Sequence, residues 1–222
     1  GFIVGSHDHP GHGLSQGKRG VINPPGALVT QAAVQIHEFA LETGRTPVVF
    51  GHSLGGVVAT ELVITHRMSV AGLVLSAPAF APYISWGNRV KLKLLTHLAP
   101  QFAQELPYDA SRLTHDKEEQ AKAEQDPLNH GFKSASLVSW LVESGQRSIE
   151  DAQQLDVKTL LLIAGDDPVV DSGQTERFGQ QVRSELLTTC RYQDYRHEIL
   201  NETPERRSRV VADIVQWMQD FT

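Results

Sequence analysis

Gly51-His52-Ser53-Leu54-Gly55 fits the pattern G-x-S-x-G, with Gly56 directly after it. Three fixed residues in five carry little by themselves, because glycine and serine are common. The setting adds the weight. Val48-Val49-Phe50 reads as a short apolar strand just before the pattern, and Leu54 to His66 as a helix just after it. A serine on such a strand–turn–helix corner stands out at the carboxyl edge of a sheet, with glycines on either side letting strand and helix approach closely. The backbone N–H of Leu54, at the positive end of that helix, is then aimed at any oxyanion that forms beside the serine. The plain alternative is a glycine-rich helix start with Ser53 as its N-cap. It leaves the next two segments unexplained.

A serine hydroxyl becomes a useful nucleophile only when a base takes its proton, and the base works best when a carboxylate orients it. On a nucleophile-elbow fold the chain order is serine, acid, histidine. Leu160-Leu161-Leu162-Ile163-Ala164-Gly165-Asp166-Asp167-Pro168 is a buried-type strand that ends in a turn with two aspartates. Downstream, Tyr195-Arg196-His197-Glu198-Ile199-Leu200-Asn201-Glu202 sets His197 in a polar loop between a strand and the last helix. Ser53, one of Asp166 and Asp167, and His197 thus follow in the required order, each at a strand end. The chemistry implied is ester hydrolysis through an acyl-enzyme, and it requires no metal or organic cofactor.

The elements that must hold these residues alternate short β-rich runs with amphipathic helical stretches, which points to an α/β protein with a mostly parallel sheet. Phe2 to Ser6 is expected to be a strand leading into a turn, Ala27 to Thr43 a helix closed by Gly44, and Pro47 to Phe50 and Val70 to Ser76 strands. The rhythm then breaks. From about Ala79 to Asp151 no clean strand is visible, whereas helix-like pieces are, including the charged run Asp116 to Glu124. Alternation resumes with Val157 to Ala164 (strand), Ser172 to Arg183 (helix), Leu187 to Tyr192 (strand) and Pro204 to Phe221 (helix). The expected layout is a first core part over 1–78, a helical cap over 79–151 and a second core part over 152–222. A long insertion in a compact core usually covers an active site.

Composition excludes several classes. The 222 residues, 40% hydrophobic and 21% charged, suit a globular enzyme with a sizeable core. A formal net charge of −6, with no basic run beyond Arg206, Arg207 and Arg209, argues against nucleic acid as a partner. The single cysteine, Cys190, permits no internal disulfide and no cysteine zinc cluster, and is expected to be a buried, inert thiol. No apolar run approaches the roughly 20 residues of a membrane span. One cysteine and no visible export signal make cytoplasmic residence the default expectation, and the oligomeric state stays open.

Several segments resemble the monoacylglycerol lipase and lysophospholipase branch of the α/β-hydrolases. Asp8-His9-Pro10-Gly11-His12-Gly13-Leu14-Ser15 is similar to its D-x-R-G-H-G-x-S turn, with Pro10 where arginine is usual. The elbow, Leu73 to Ala79, Asp126-Pro127-Leu128-Asn129-His130 and His197-Glu198-Ile199-Leu200-Asn201-Glu202 each match a stretch of the same family. The resemblance covers nearly the whole chain and implies the α/β-hydrolase fold. It separates the two aspartates, because the family's acid opens D-x-x-V-D, which here is Asp167-Pro168-Val169-Val170-Asp171. Asp167 is therefore the expected acid and Asp166 the fallback. His7, His9 and His12 could ligate zinc by composition, but the family uses that turn structurally, so no metal is expected.

The resemblance also implies a monoacylglycerol or similar single-chain ester as substrate. Phe80, Tyr83, Ile84 and Trp86, with Leu92, Leu94 and Leu95, would line an acyl tunnel or touch a lipid surface, or else form the cap's own core. A short-chain carboxylesterase or thioesterase and a non-catalytic binding protein on a truncated scaffold are the competing readings. At the front the sequence departs from the family. In relatives several strands precede the D-x-R-G-H-G turn, one of which carries a second oxyanion donor and lies beside the strand that ends at Ser53. Only about seven residues precede the turn here. The neighbours of that strand would have unpaired backbone groups unless they close up on each other or another segment fills the gap, in a fragment, a shortened product that repacks or one half of an assembly.

Overall fold

The computed structural model describes residues 1–66, 68–106 and 109–221. Its elements run α1 (Ala27–Thr43), β1 (Val48–His52), α2 (Leu54–His66), β2 (Gly72–Ser76), α3 (Trp86–Leu98), β3 (Ala103–Glu105) and α4 (Lys117–Gln125). They continue with β4 (Phe132–Ser134), α5 (Ala135–Glu150), β5 (Thr159–Ala164), α6 (Ser172–Gln181), β6 (Leu187–Tyr192) and α7 (Pro204–Met218). The main sheet has the order β1-β2-β5-β6, and every pair is parallel. This is the expected α/β-hydrolase architecture, four parallel strands flanked by helices.

The central strands β2 and β5 are buried along their whole length. Their continuous apolar sequences fit, because a parallel strand covered on both faces has no solvated side to mark with polar residues. The alternation appears instead in which core each residue enters. Leu73, Leu75, Leu161 and Ile163 join the larger core with Leu28 of α1, Val58 and Leu62 of α2, Trp140 of α5 and Phe178 of α6. Val74, Leu160 and Leu162 point the other way and pack with Tyr192, Tyr195 and Val210 of α7. Each such leucine is worth about 1.5–3 kcal/mol of transfer free energy. The sheet that carries the site is therefore clamped from both sides.

Two sequence expectations need correction. Phe2 to Ser6 is not a strand but an exposed stretch without regular structure, which passes close enough to α1 for Gly5 to meet the Phe39 ring. Strand-like residues alone do not make a strand without a neighbour to complete the backbone ladder, and none is offered there among the described residues. The stretch after Ala79 does contain strands, since β3 and β4 form an antiparallel ribbon pairing Ala103 with Ser134 and Glu105 with Phe132. Three residues per strand are too few to display an alternation. On the side of β1 away from β2 no described segment is paired, so the gap expected there stays open, and Phe50 is half-exposed.

The inserted stretch is not uniform. Helix α5 buries Leu137, Trp140 and Ile149 in the larger core, whereas α3 buries no residue at all. Trp86, Val90, Leu94 and Leu98 recur every four residues along α3 and are all more than half exposed. Among the described residues, no helix is long and apolar enough to cross a membrane.

Candidate active site

Ser53 sits at the junction of β1 and α2 with φ of 50°, a left-handed conformation that a non-glycine residue rarely adopts. Its surroundings hold it there. The Ser53 N–H donates to Ser76 O at 3.0 Å, and Ser53 O accepts from Ala79 N at 3.0 Å and Gly56 N at 3.0 Å. Two glycines of the elbow are sterically required: a Cβ on Gly51 would stand 2.4 Å from Gly55 O, and one on Gly56 would stand 2.7 Å from Pro78 Cβ. Leu54 is the first residue of α2, so its N–H belongs to the set that a helix leaves without an internal acceptor.

His197 and Asp167 arrive from the ends of β6 and β5. His197 Nε2 lies 2.8 Å from Ser53 Oγ, and His197 Nδ1 lies 2.7 Å from Asp167 Oδ2. With the ring proton on Nδ1 and donated to the carboxylate, Nε2 accepts from the serine hydroxyl. The histidine and aspartate side chains are 4% and 3% exposed, so water competes little for either contact. Asp167 Oδ1 is separately occupied, accepting from Val169 N at 2.8 Å and Val170 N at 3.0 Å. Asp166, the fallback acid, is exposed, and its backbone N–H donates to Tyr195 O at 3.0 Å. The structure brings Ser53, His197 and Asp167 together and leaves Asp166 out.

The base loop is fastened to the inserted segment by contacts that sequence reasoning missed. Glu202 is wholly buried, with Oε1 2.7 Å from His115 Nδ1 and accepting from Arg196 N at 3.1 Å. Thr114 Oγ1 donates to Asn201 O at 2.6 Å, and Glu198 N donates to Leu113 O at 2.8 Å. Burial by itself would raise the Glu202 pKa, but the bonds from His115 and the Arg196 N–H outweigh it and leave it lowered. A lowered carboxylate stabilises the fold above its ordinary value of 4.5, and that stability is lost as the pH falls through the folded value. Glu202→Gln is therefore expected to cost about 2 kcal/mol at pH 7. In urea melts the gap between variant and parent should narrow at pH 3; an equal gap at both pH values would contradict this. The pattern H-E-x-x-N-E carried the signal, since a glutamate just before a helix invites a partner.

Another unforeseen pair flanks the triad. His52, next to Ser53, places Nε2 3.2 Å from Oε1 of Glu198, which is next to His197. The contact is at ion-pair distance without hydrogen-bond alignment.

Of the four residues expected to line a substrate pocket, Phe80 is corrected outright. It is 1% exposed and packs in the core 4.5 Å from the Phe178 ring. Tyr83 and Trp86 face solvent and Ile84 is half-buried, so these residues enclose no tunnel. A cleft of about 240 Å³ lies instead between Leu113, Lys122 and Asp126 on one side and Glu198 and Asn201 on the other. The histidines of the first turn are engaged separately: His12 Nδ1 is 3.0 Å from Pro10 O, and His7 and His9 meet edge to face. Among the described residues, no three histidine, cysteine or acidic side chains are grouped to hold a metal. Cys190 is half-buried, and burial pushes its thiol pKa up.

The family model described as serine aminopeptidase, S33, matches residues 1–204. The chain belongs to this α/β-hydrolase family. It is 27% identical to human monoglyceride lipase over 100% of this chain and 74% of that protein. It is also 27% identical to an abhydrolase domain-containing protein of Dictyostelium discoideum, over 99% of this chain but 24% of that one. The chain thus spans between about a quarter and about three quarters of the curated relatives it matches. A solved monoacylglycerol lipase from Paleococcus ferrophilus superposes with a TM-score of 0.86 at 26% identity, over 97% of this chain and 82% of that one. The chain is a serine-hydrolase family member related to monoglyceride lipases and esterases.

Proposed function

We propose that the chain hydrolyses carboxylic esters of single-chain lipids, monoacylglycerols foremost, through an acyl-enzyme on Ser53. The observation that carries this is the hydrogen-bonded run from Asp167 through His197 to Ser53, at 2.7 and 2.8 Å on a strained elbow. Ser53 Oγ attacks the ester carbonyl while His197 Nε2 takes its proton. Asp167 holds the imidazole in the needed tautomer and stabilises the imidazolium. The oxyanion of the tetrahedral intermediate faces the Leu54 N–H. Collapse expels the alcohol, which leaves with the proton from His197. Water then attacks the acyl carbonyl, giving its proton to the same nitrogen, and the acid departs with Ser53 restored. In this reading residues 79–151 act as the cap, and the exposed stripe of α3 receives an acyl chain or rests on a lipid surface.

A short-chain carboxylesterase or thioesterase is the second reading, favoured by the absence of a tunnel at Tyr83, Ile84 and Trp86. One experiment separates the two. The purified chain is assayed on monoacylglycerols of increasing length and on p-nitrophenyl acetate, beside the double variant Trp86→Ser/Leu94→Ser. A lipid esterase should prefer the long chains. The double variant should then raise KM for them about tenfold, through lost apolar contact, and leave p-nitrophenyl acetate unchanged. A preference for acetyl or butyryl esters with no effect of the double variant would favour the second reading. No hydrolysis of any ester, with no fluorophosphonate labelling of Ser53, would overturn both.

A further inference from the structure

The two triad residues that face each other, Ser53 and His197, have chain neighbours that also face each other. His52 Nδ1 lies 3.1 Å from Ser76 Oγ, and its Nε2 lies 3.2 Å from Glu198 Oε1. The His52 ring stands 5.0 Å from the His197 ring. Glu198 is held in turn, with Asn201 Nδ2 donating to its other oxygen at 3.1 Å and its own N–H donating to Leu113 O. A second histidine–carboxylate pair thus runs beside the catalytic one and joins the nucleophile elbow to the base loop.

We infer that His52 and Glu198 are positioning residues that balance charge around His197 and so set the pH at which it can act as a base. The inference rests on the acyl-enzyme reading of Ser53 and His197. Each member of the pair stabilises the charge of the other. Burial would lower the His52 pKa, but the Glu198 carboxylate outweighs it and the net direction is upward. Burial would raise the Glu198 pKa, yet His52 brings it down to about 2. When His52 is protonated, the pair sets one positive and one negative charge beside His197, and their effects on its proton oppose each other. Among the described residues, the other groups facing the two imidazoles are the Asp167 carboxylate and the Ser53 and Ser76 hydroxyls, and these are the same in every variant below.

Breaking the balance from either side moves His197 in opposite directions. His52→Asn keeps an amide where Nδ1 stood, so the Ser76 contact has a substitute, but leaves Glu198 as an uncompensated anion. His197 then protonates more readily, and the acid limb of kcat/KM should move up by roughly one pH unit. Glu198→Gln removes the anion and leaves His52 to titrate without its partner, so that any charge it gains opposes protonation of His197. The acid limb should move down by a similar amount. The double variant removes both charges and should return towards the parent profile, which a purely structural defect would not do.

The test uses the full chain and the three variants, with two readouts. One is the pH dependence of kcat/KM for p-nitrophenyl acetate. The other is the titration of the His197 ring by NMR, with the signal assigned by its loss in His197→Ala. Opposite shifts in the single variants and near-cancellation in the double variant are the expected result. Shifts in the same direction, or none, would overturn the inference. A parent chain that neither turns over ester nor reacts with a fluorophosphonate would remove the acyl-enzyme reading, and the ring titrations would still decide whether the pair governs His197.

Discussion

Ser53→Ala is expected to lower ester turnover by roughly 10⁵- to 10⁶-fold and to abolish fluorophosphonate labelling, because the bond to the acyl group has no other atom to form on. The fold should not suffer. Alanine keeps the Cβ, so the strain at φ of 50° is unchanged, and the bonds to Ser76, Ala79 and Gly56 are all made by the backbone. Ser53→Gly should be equally inactive but more stable than the parent by about 1 kcal/mol, since glycine adopts positive φ without cost. An inactive yet stabilised variant would show that the elbow keeps a strained conformation for chemistry. Activity surviving in both variants would show that Ser53 is not the nucleophile. Rates and thermal unfolding of the same preparations settle the matter.

How much of this was legible beforehand differs by element. The helices α1 and α2 and the strand β6 carry their own punctuation: Gly44 closes α1 in a left-handed conformation with φ of 66°, and Leu187–Tyr192 is bounded as expected. The elbow was legible because G-x-S-x-G between a strand and a helix is a local arrangement, fixed by glycines that nothing larger can replace at Gly51 or Gly56. The inserted stretch was not. Whether Phe80 lines a pocket or fills a core depends on Phe178, nearly a hundred residues away, and no periodicity near Phe80 reports that partner. The same holds for Glu202 and His115, and for His52 and Glu198, whose meetings are set by the sheet order. Phe2 to Ser6 failed for the opposite reason: its residues suit a strand, and strand formation is decided by the neighbour.

The choice between the adjacent aspartates yields the second large effect, and the geometry argues it further than the motif could. Asp167→Asn is expected to lower kcat by about 10⁴-fold, while Asp166→Asn should stay within about twofold, as exposed substitutions away from a site do. In the parent, Oδ1 of Asp167 accepts two backbone N–H groups and Oδ2 accepts from His197. An asparagine has one carbonyl oxygen, and the Val169 and Val170 N–H groups require it. Its amide group is thereby turned towards His197 Nδ1, which must accept rather than donate. The ring proton moves to Nε2, the atom that has to take the proton of Ser53, and general-base catalysis is blocked with the side chains still in place. At alkaline pH hydroxide can take the serine proton without the histidine, so the loss is expected to shrink at high pH. A loss in Asp166→Asn with Asp167→Asn unharmed would reverse the assignment, and equal losses in both would point to damage of the turn as a whole.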